Sequence, residues 1–174
     1  DTAIAAVSMA YGVFALVTIA NNGVQATVLA LFAQGKHPRR VRRFAIGVGV
    51  GTLIPFVLIA FIPPLTQLVL GDIMGATGRL YEMAALALRL FTLVPLALAI
   101  EQLYTGALMR SRITRPLVYI IMWRLAFLLA WVFGTVTYTD WSGAVIGAGG
   151  SVATFMPEAF FAWVYGRAHF NAML

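Results

Sequence analysis

Between Thr2 and Gln34 the chain runs for 33 residues without a charged side chain. As one helix this run would be ~50 Å long. That is too long for a single straight crossing of a ~30 Å hydrocarbon core, and too short for two crossings joined by a turn. Its middle, Ile19-Ala20-Asn21-Asn22-Gly23-Val24-Gln25, is polar and holds a glycine. The expected structure is one long helix interrupted at that point. Asn21, Asn22 and Gln25 cannot face lipid cheaply, so they either hydrogen-bond between helices or line a cavity.

Four further apolar runs come after it. The expected helices are therefore 2–34, 44–70, 80–109, 116–138 and 143–165, forming a single bundle over residues 1–174. With 61% hydrophobic and only 10% charged residues, a water-soluble domain of this size could not cover its apolar surface. The fold class is an all-α polytopic membrane helix bundle with five transmembrane helices. Gly47, Gly49 and Gly51 follow a basic hairpin rather than a strand. They are read as small residues that let helices approach closely, not as a dinucleotide loop. Pro55 and the Pro63-Pro64 pair should kink or end the second helix.

Charge sets the expected topology. Lys36, Arg39, Arg40, Arg42, Arg43, Arg110, Arg112, Arg115 and Arg167 fall in two hairpins and the tail, nine basic residues on one side. The other side has Arg79 alone, with Asp1, Asp72 and Asp140. The positive-inside bias places the basic hairpins and the C-terminus in the cytoplasm and the N-terminus outside, in an inner or plasma membrane. It also accounts for the net charge of +6 without nucleic acid as a partner. Tyr81, Tyr138 and Trp141 are expected as outer interfacial anchors, and Tyr104, Trp163 and Tyr165 as inner ones. The chain opens on Asp1 with no basic leader and no cleavage site. Five helices beginning outside are what remains when the first helix of a six-helix bundle is removed, so a fragment is expected.

Little conventional catalytic chemistry is present. There is no cysteine, and His37 and His169 have no companion metal ligands. Neither a Ser–His–Asp set nor a Walker sequence occurs, so neither an enzyme nor a metal or other cofactor is expected. The titratable groups inside the spans are Arg89, Glu101, Arg124 and Glu158. Glu101 is nine residues before Arg110, Arg124 eight after Pro116, and Glu158 nine before Arg167. Helical rise sets all three ~12–14 Å inside the inner boundary. One arginine between two carboxylates leaves a surplus negative charge, which a coupling proton or sodium ion could neutralise. The alternative is a structural ion pair that locks helices together. Arg89 is expected near the outer edge, snorkelling to the interface.

Several short segments carry a resemblance. They are Ala33-Gln34-Gly35-Lys36, the glycine-rich helix with Pro55, Ala87-Leu88-Arg89-Leu90-Phe91, Tyr104-Thr105-Gly106-Ala107-Leu108, and a basic turn with Thr114. In this order the chain resembles one half of a transporter of the multidrug/oligosaccharidyl-lipid/polysaccharide (MOP) flippase superfamily, to which MATE-type multidrug exporters belong. Ser142-Gly143-Ala144 and Glu158 add similarity to the C-terminal half of progressive ankylosis-type proteins. The resemblance covers nearly the whole chain. It implies five helices of one six-helix bundle, a missing homologous half-bundle as partner in the lipid bilayer, and alternating access about a V-shaped cavity. It also implies export of pyrophosphate, ATP or related small anions. A lipid-linked sugar or drug flippase of the same fold, or a non-transporting scaffold subunit, are the alternatives.

Overall fold

The computed structural model describes residues 2–113 and 115–172. Asp1 and Thr114, which bear on the expected topology and resemblance, lie outside the described residues. Every regular element of the described chain is a helix or helical turn: α1 (Thr2–Val17), a 3-10 turn (Ile19–Gly23), α2 (Val24–Ala33), α3 (Pro38–Phe61), the short α4 (Pro63–Thr66), a π turn (Gln67–Ile73), α5 (Gly78–Phe91), α6 (Val94–Arg110), α7 (Arg115–Tyr138) and α8 (Gly143–Asn171). Among the described residues, four helical stretches are long and apolar enough to cross a membrane: α3, α5 with α6, α7 and α8. The number is five if α1 and the Ile19–Ala33 segment, bent by 55°, serve as one span.

The interruption in the first helix falls at Thr18–Gly23, where the sequence turns polar. Thr18 Oγ1 donates to the Phe14 carbonyl at 2.7 Å, and the amide of Asn21 reaches Thr18 instead of continuing the α-helical ladder. Such side-chain competition for the backbone favours a bend over a continuous helix.

The second span starts and stops earlier than the expected 44–70. Pro38 occupies its first turn, and His37 Nδ1 accepts from the Arg39 amide at 3.3 Å. A proline with preset φ beside an N-terminal cap initiates the helix, so most of the basic hairpin is its first turn and a half. At the far end Pro63 and Pro64 have no amide hydrogens to offer the carbonyls of Ile59 and Ala60 one turn back, and the span ends at Phe61. The chain continues there as the α4 turn and the π turn, not as lipid-crossing helix.

The third span is continuous in sequence but two helices in space. Pro95 cannot donate to the Phe91 carbonyl, and the chain breaks at Thr92–Leu93. The last helix runs on to Asn171 rather than ending at Tyr165, because Gly166-Arg167-Ala168-His169-Phe170 keeps packing: Phe170 lies 5.7 Å from the Tyr104 ring and 6.1 Å from Phe32. Tyr104 is therefore buried, and not the interfacial anchor expected.

Two apolar cores result. One gathers Phe14, Phe56, Leu88, Phe91 and Ala148 from α1, α3, α5 and α8. The other gathers Val28, Val41, Leu108, Ala162 and Phe170 from α2, α3, α6 and α8. Phe14 stacks on Phe91 at 5.3 Å in the first. α8 packs on α6, α7, α5 and α1 and is the central post. α7 touches chiefly α8, and only its Ile120 and Thr135 are buried.

Glycine spacing decides the close approaches. Successive i, i+2 positions on a helix are ~200° apart, so Gly47, Gly49 and Gly51 cannot all face one neighbour. Gly49 alone does: a methyl there would come within 2.6 Å of Ala99 Cβ, while nothing lies within 4 Å of the other two. Gly143 and Gly147 both face α1, where an added methyl would meet Ala3 and Val7 at 3.1 Å.

Candidate functional site

Between the two cores lies a polar seam where α2 and α6 meet. Asn21 is fully buried, and its Nδ2 donates to the Pro95 carbonyl at 3.1 Å and to Thr52 Oγ1 at 3.3 Å. Its Oδ1 has no partner among the described residues. One turn on, the amide of Gln25 is left unpaired by the break, and Gln102 Oε1 accepts it at 3.1 Å. Gln25 Nε2 reaches Thr105 Oγ1 at 3.4 Å and Met109 Sδ at 3.3 Å. The broken backbone of one helix is thus satisfied by side chains of another. Asn22 is exposed and joins none of these bonds.

The second polar element joins α7 and α8. Arg124 Nη1 stands 3.4 Å from Glu158 Oε2 and 3.5 Å from Oε1. This is the one salt bridge among the described residues. The same guanidinium lies over the Phe155 ring, 5.4 Å from its centroid and one turn from Glu158. Its environment is lopsided: the Glu158 side chain is 10% exposed and that of Arg124 47%. Arg124 borders a cleft of about 330 Å³ between α1, α7 and α8, with Tyr11, Ser151 and Thr154 among its walls. A half-exposed cation beside hydroxyl groups can hold an anion by charge-assisted hydrogen bonds.

Glu101 stands apart from that pair. It makes no salt bridge with a described residue, and sits on α6 within electrostatic reach of both Glu158 and Arg124. The expected arrangement, with Arg124 between two carboxylates, is present only in part: the arginine bonds to one acid and the other remains unpaired.

Arg89 has a local task that the sequence spacing hid. Its Nε donates to the Ala60 carbonyl at 3.4 Å. The matching helical donor would be the amide of residue 64, and that residue is proline. The Ile59 carbonyl, deprived in the same way by Pro63, accepts from Thr66 Oγ1 at 2.6 Å. Sequence reasoning missed Thr66 altogether and gave Gln102 no role in the seam. The signals were present in a proline four residues after each orphaned carbonyl and in a glutamine at span depth. No group of three or more metal-ligating His, Cys, Asp or Glu side chains occurs among the described residues.

No family model, curated protein or solved structure matches the chain.

Proposed function

We propose that this chain is one bundle of a secondary-active membrane transporter that exports small organic or phosphate-type anions by alternating access. The observation that carries this reading is the interrupted first helix, whose break is held by Asn21 and Gln25 against α3 and α6. Discontinuous helices at mid-membrane are a recurring device of transport sites, since irregular backbone at that depth persists only where protein or a cavity satisfies it. Arg124 favours an anionic cargo, because it faces a cleft with half of its surface open. A scaffold whose charges served only to lock helices would bury that group with its partner.

The resemblance to the MOP superfamily supplies the remainder of the proposal: a second homologous bundle, a shared cavity, and the basic hairpins on the cytoplasmic side. Glu101 and Glu158 are the groups for a coupling proton or sodium ion. The test is flux through the full-length protein containing this chain, reconstituted in liposomes loaded with pyrophosphate, ATP or a small dicarboxylate. The expected outcome is efflux of at least one of these anions that Arg124→Ala abolishes and Arg124→Lys partly retains. Translocation of a lipid-linked sugar or a cationic drug in place of anions would overturn the cargo assignment. A full-length protein that moves none of these would overturn transport in favour of the scaffold.

A further inference from the structure

At the end of the bundle where α2 stops and α3 begins, a pocket of about 400 Å³ is lined by Phe32, Gly35, Lys36, His37, Pro38 and Arg110. The pocket is built by two helix terminations of the same kind. α2 ends on Gly35 at φ 71°, with the Gly35 amide bonded to the Phe32 carbonyl at 3.1 Å and the Lys36 amide to Leu31 at 3.0 Å. α6 ends on Arg112 at φ 54°, with the Arg112 amide on Met109 at 3.0 Å and the Ile113 amide on Leu108 at 3.2 Å. These are paired closing bonds that satisfy the last carbonyls internally. The helix ends therefore do not need Lys36 or Arg110 as hydrogen-bond donors.

Neither cation is in an ion pair with a described residue, since the one salt bridge is that of Arg124 with Glu158. No carboxylate of the described residues lines the pocket. His37 adds a donor: its Nδ1 accepts from the Arg39 amide, which leaves the proton of the neutral ring on Nε2. Phe32 provides an apolar floor beside the charged rim. Two exposed cations and an imidazole around one pocket suit an anion with several acceptor oxygens, and basic pockets between membrane helices bind phosphate head groups.

We propose that this pocket is a phosphate-binding site, recognising a phosphomonoester or pyrophosphate group through Lys36, Arg110 and His37. The ligand has two sources with the same chemistry, an anionic phospholipid at the membrane surface or a free phosphate in solution. The site is separate from the Arg124 cleft, and does not depend on the transport reading.

Binding is measured on the full-length protein in nanodiscs or detergent by native mass spectrometry, with phosphatidic acid, phosphatidylcholine and free pyrophosphate as probes. The double variant Lys36→Gln/Arg110→Gln is compared with Arg43→Gln/Arg115→Gln, which removes the same charge from exposed residues outside the pocket. The expected result is retention of phosphatidic acid or of pyrophosphate that falls roughly tenfold or more in the pocket variant, the scale of one charge-assisted hydrogen bond, and is kept by the control. Preference for phosphatidic acid identifies a lipid ligand, and preference for pyrophosphate a soluble one. Equal loss in both double variants would show diffuse attraction to positive charge and overturn the site. So would the absence of binding by either probe.

Discussion

Arg89 on α5 donates its Nε to the carbonyl of Ala60 on α3, 29 positions away in sequence, at 3.4 Å. That oxygen is the one Pro64 cannot serve. Arg89 is itself exposed and the bond is only partly buried, so truncating the side chain opens the Ala60 carbonyl. Arg89→Ala is expected to destabilise the protein by about 0.5–1.5 kcal/mol, the net range for one hydrogen bond. Replacing Pro63 and Pro64 together by Ala lifts the restriction that holds Ile62 extended and lets an amide reach the same carbonyl, so adding this pair to Arg89→Ala should recover part of the loss. A double-mutant cycle from thermal unfolding in detergent measures this, and strict additivity would refute the substitution of one donor for the other.

The Gly47-Val48-Gly49-Val50-Gly51 segment makes a sharp internal comparison. Gly49→Ala sets two Cβ atoms against each other across α3 and α6, and should cost about 1–3 kcal/mol as overpacking. Gly47→Ala and Gly51→Ala meet open space, so each should be neutral or stabilising by up to ~1 kcal/mol through helix propensity. Equal effects at all three positions would contradict the packing of α3 on α6.

Arg112 adopts a left-handed conformation with a side chain, where α2 uses Gly35 for the equivalent turn. Arg112→Gly should therefore stabilise the α6–α7 turn by ~1 kcal/mol. The readout is the melting temperature, and a fall on substitution would show that the guanidinium holds the turn by a contact worth more than the strain.

The Arg124–Glu158 pair separates structure from coupling. Arg124→Ala leaves a buried carboxylate without its partner, and should cost roughly 1–3 kcal/mol, less than for a fully buried pair because the arginine is half open to the cleft. Adding Glu158→Gln should return most of that stability. In the full-length protein, Glu101→Gln and Glu158→Gln should each change how flux depends on proton or sodium concentration while the fold is kept. Unchanged dependence in both would reduce the pair to scaffolding.

Orientation is checked with single cysteines, which the chain lacks. A cysteine at position 39, in the first turn of α3, should resist an impermeant thiol reagent in intact cells, and one at position 140 should react. The reverse pattern would invert the bundle.

Much of this architecture is legible in the sequence, and the exceptions have physical causes. Apolar length announces the spans, and Asn21-Asn22-Gly23 announces the broken one, because a charge-free run longer than the bilayer needs somewhere to bend. Helical rise brings Arg124 level with Glu158. It does not reveal which side of α6 Glu101 takes, since depth along an axis carries no information about rotation around it. The same limit hid the difference between Asn21, buried and bonded, and its neighbour Asn22, exposed. The Arg89 bond is hidden for another reason: its partner is a backbone oxygen, and such an acceptor leaves no trace in the residue types except the proline that orphans it. The early start of α3 was hidden by charge, which marks an interface but does not prevent helix once Pro38 and His37 have begun one.

The Asn21 side chain bonds to the backbone of Pro95, and so ties the break in the first span to the break in the third. Two discontinuities at one level give the bundle a waist, with one apolar core on either side of it. Compliance concentrates where backbone ladders are interrupted, because bending there sacrifices no intact helical bond. α3 and α8 cross this level unbroken and contribute to both cores, so the compliance is local to the first and third spans, beside the unpartnered Asn21 Oδ1. Spin labels at positions 5 and 30, on either side of the waist, should give a broader distance distribution than a pair at 118 and 136 along unbroken α7. Equal widths would mean that the joint is rigid.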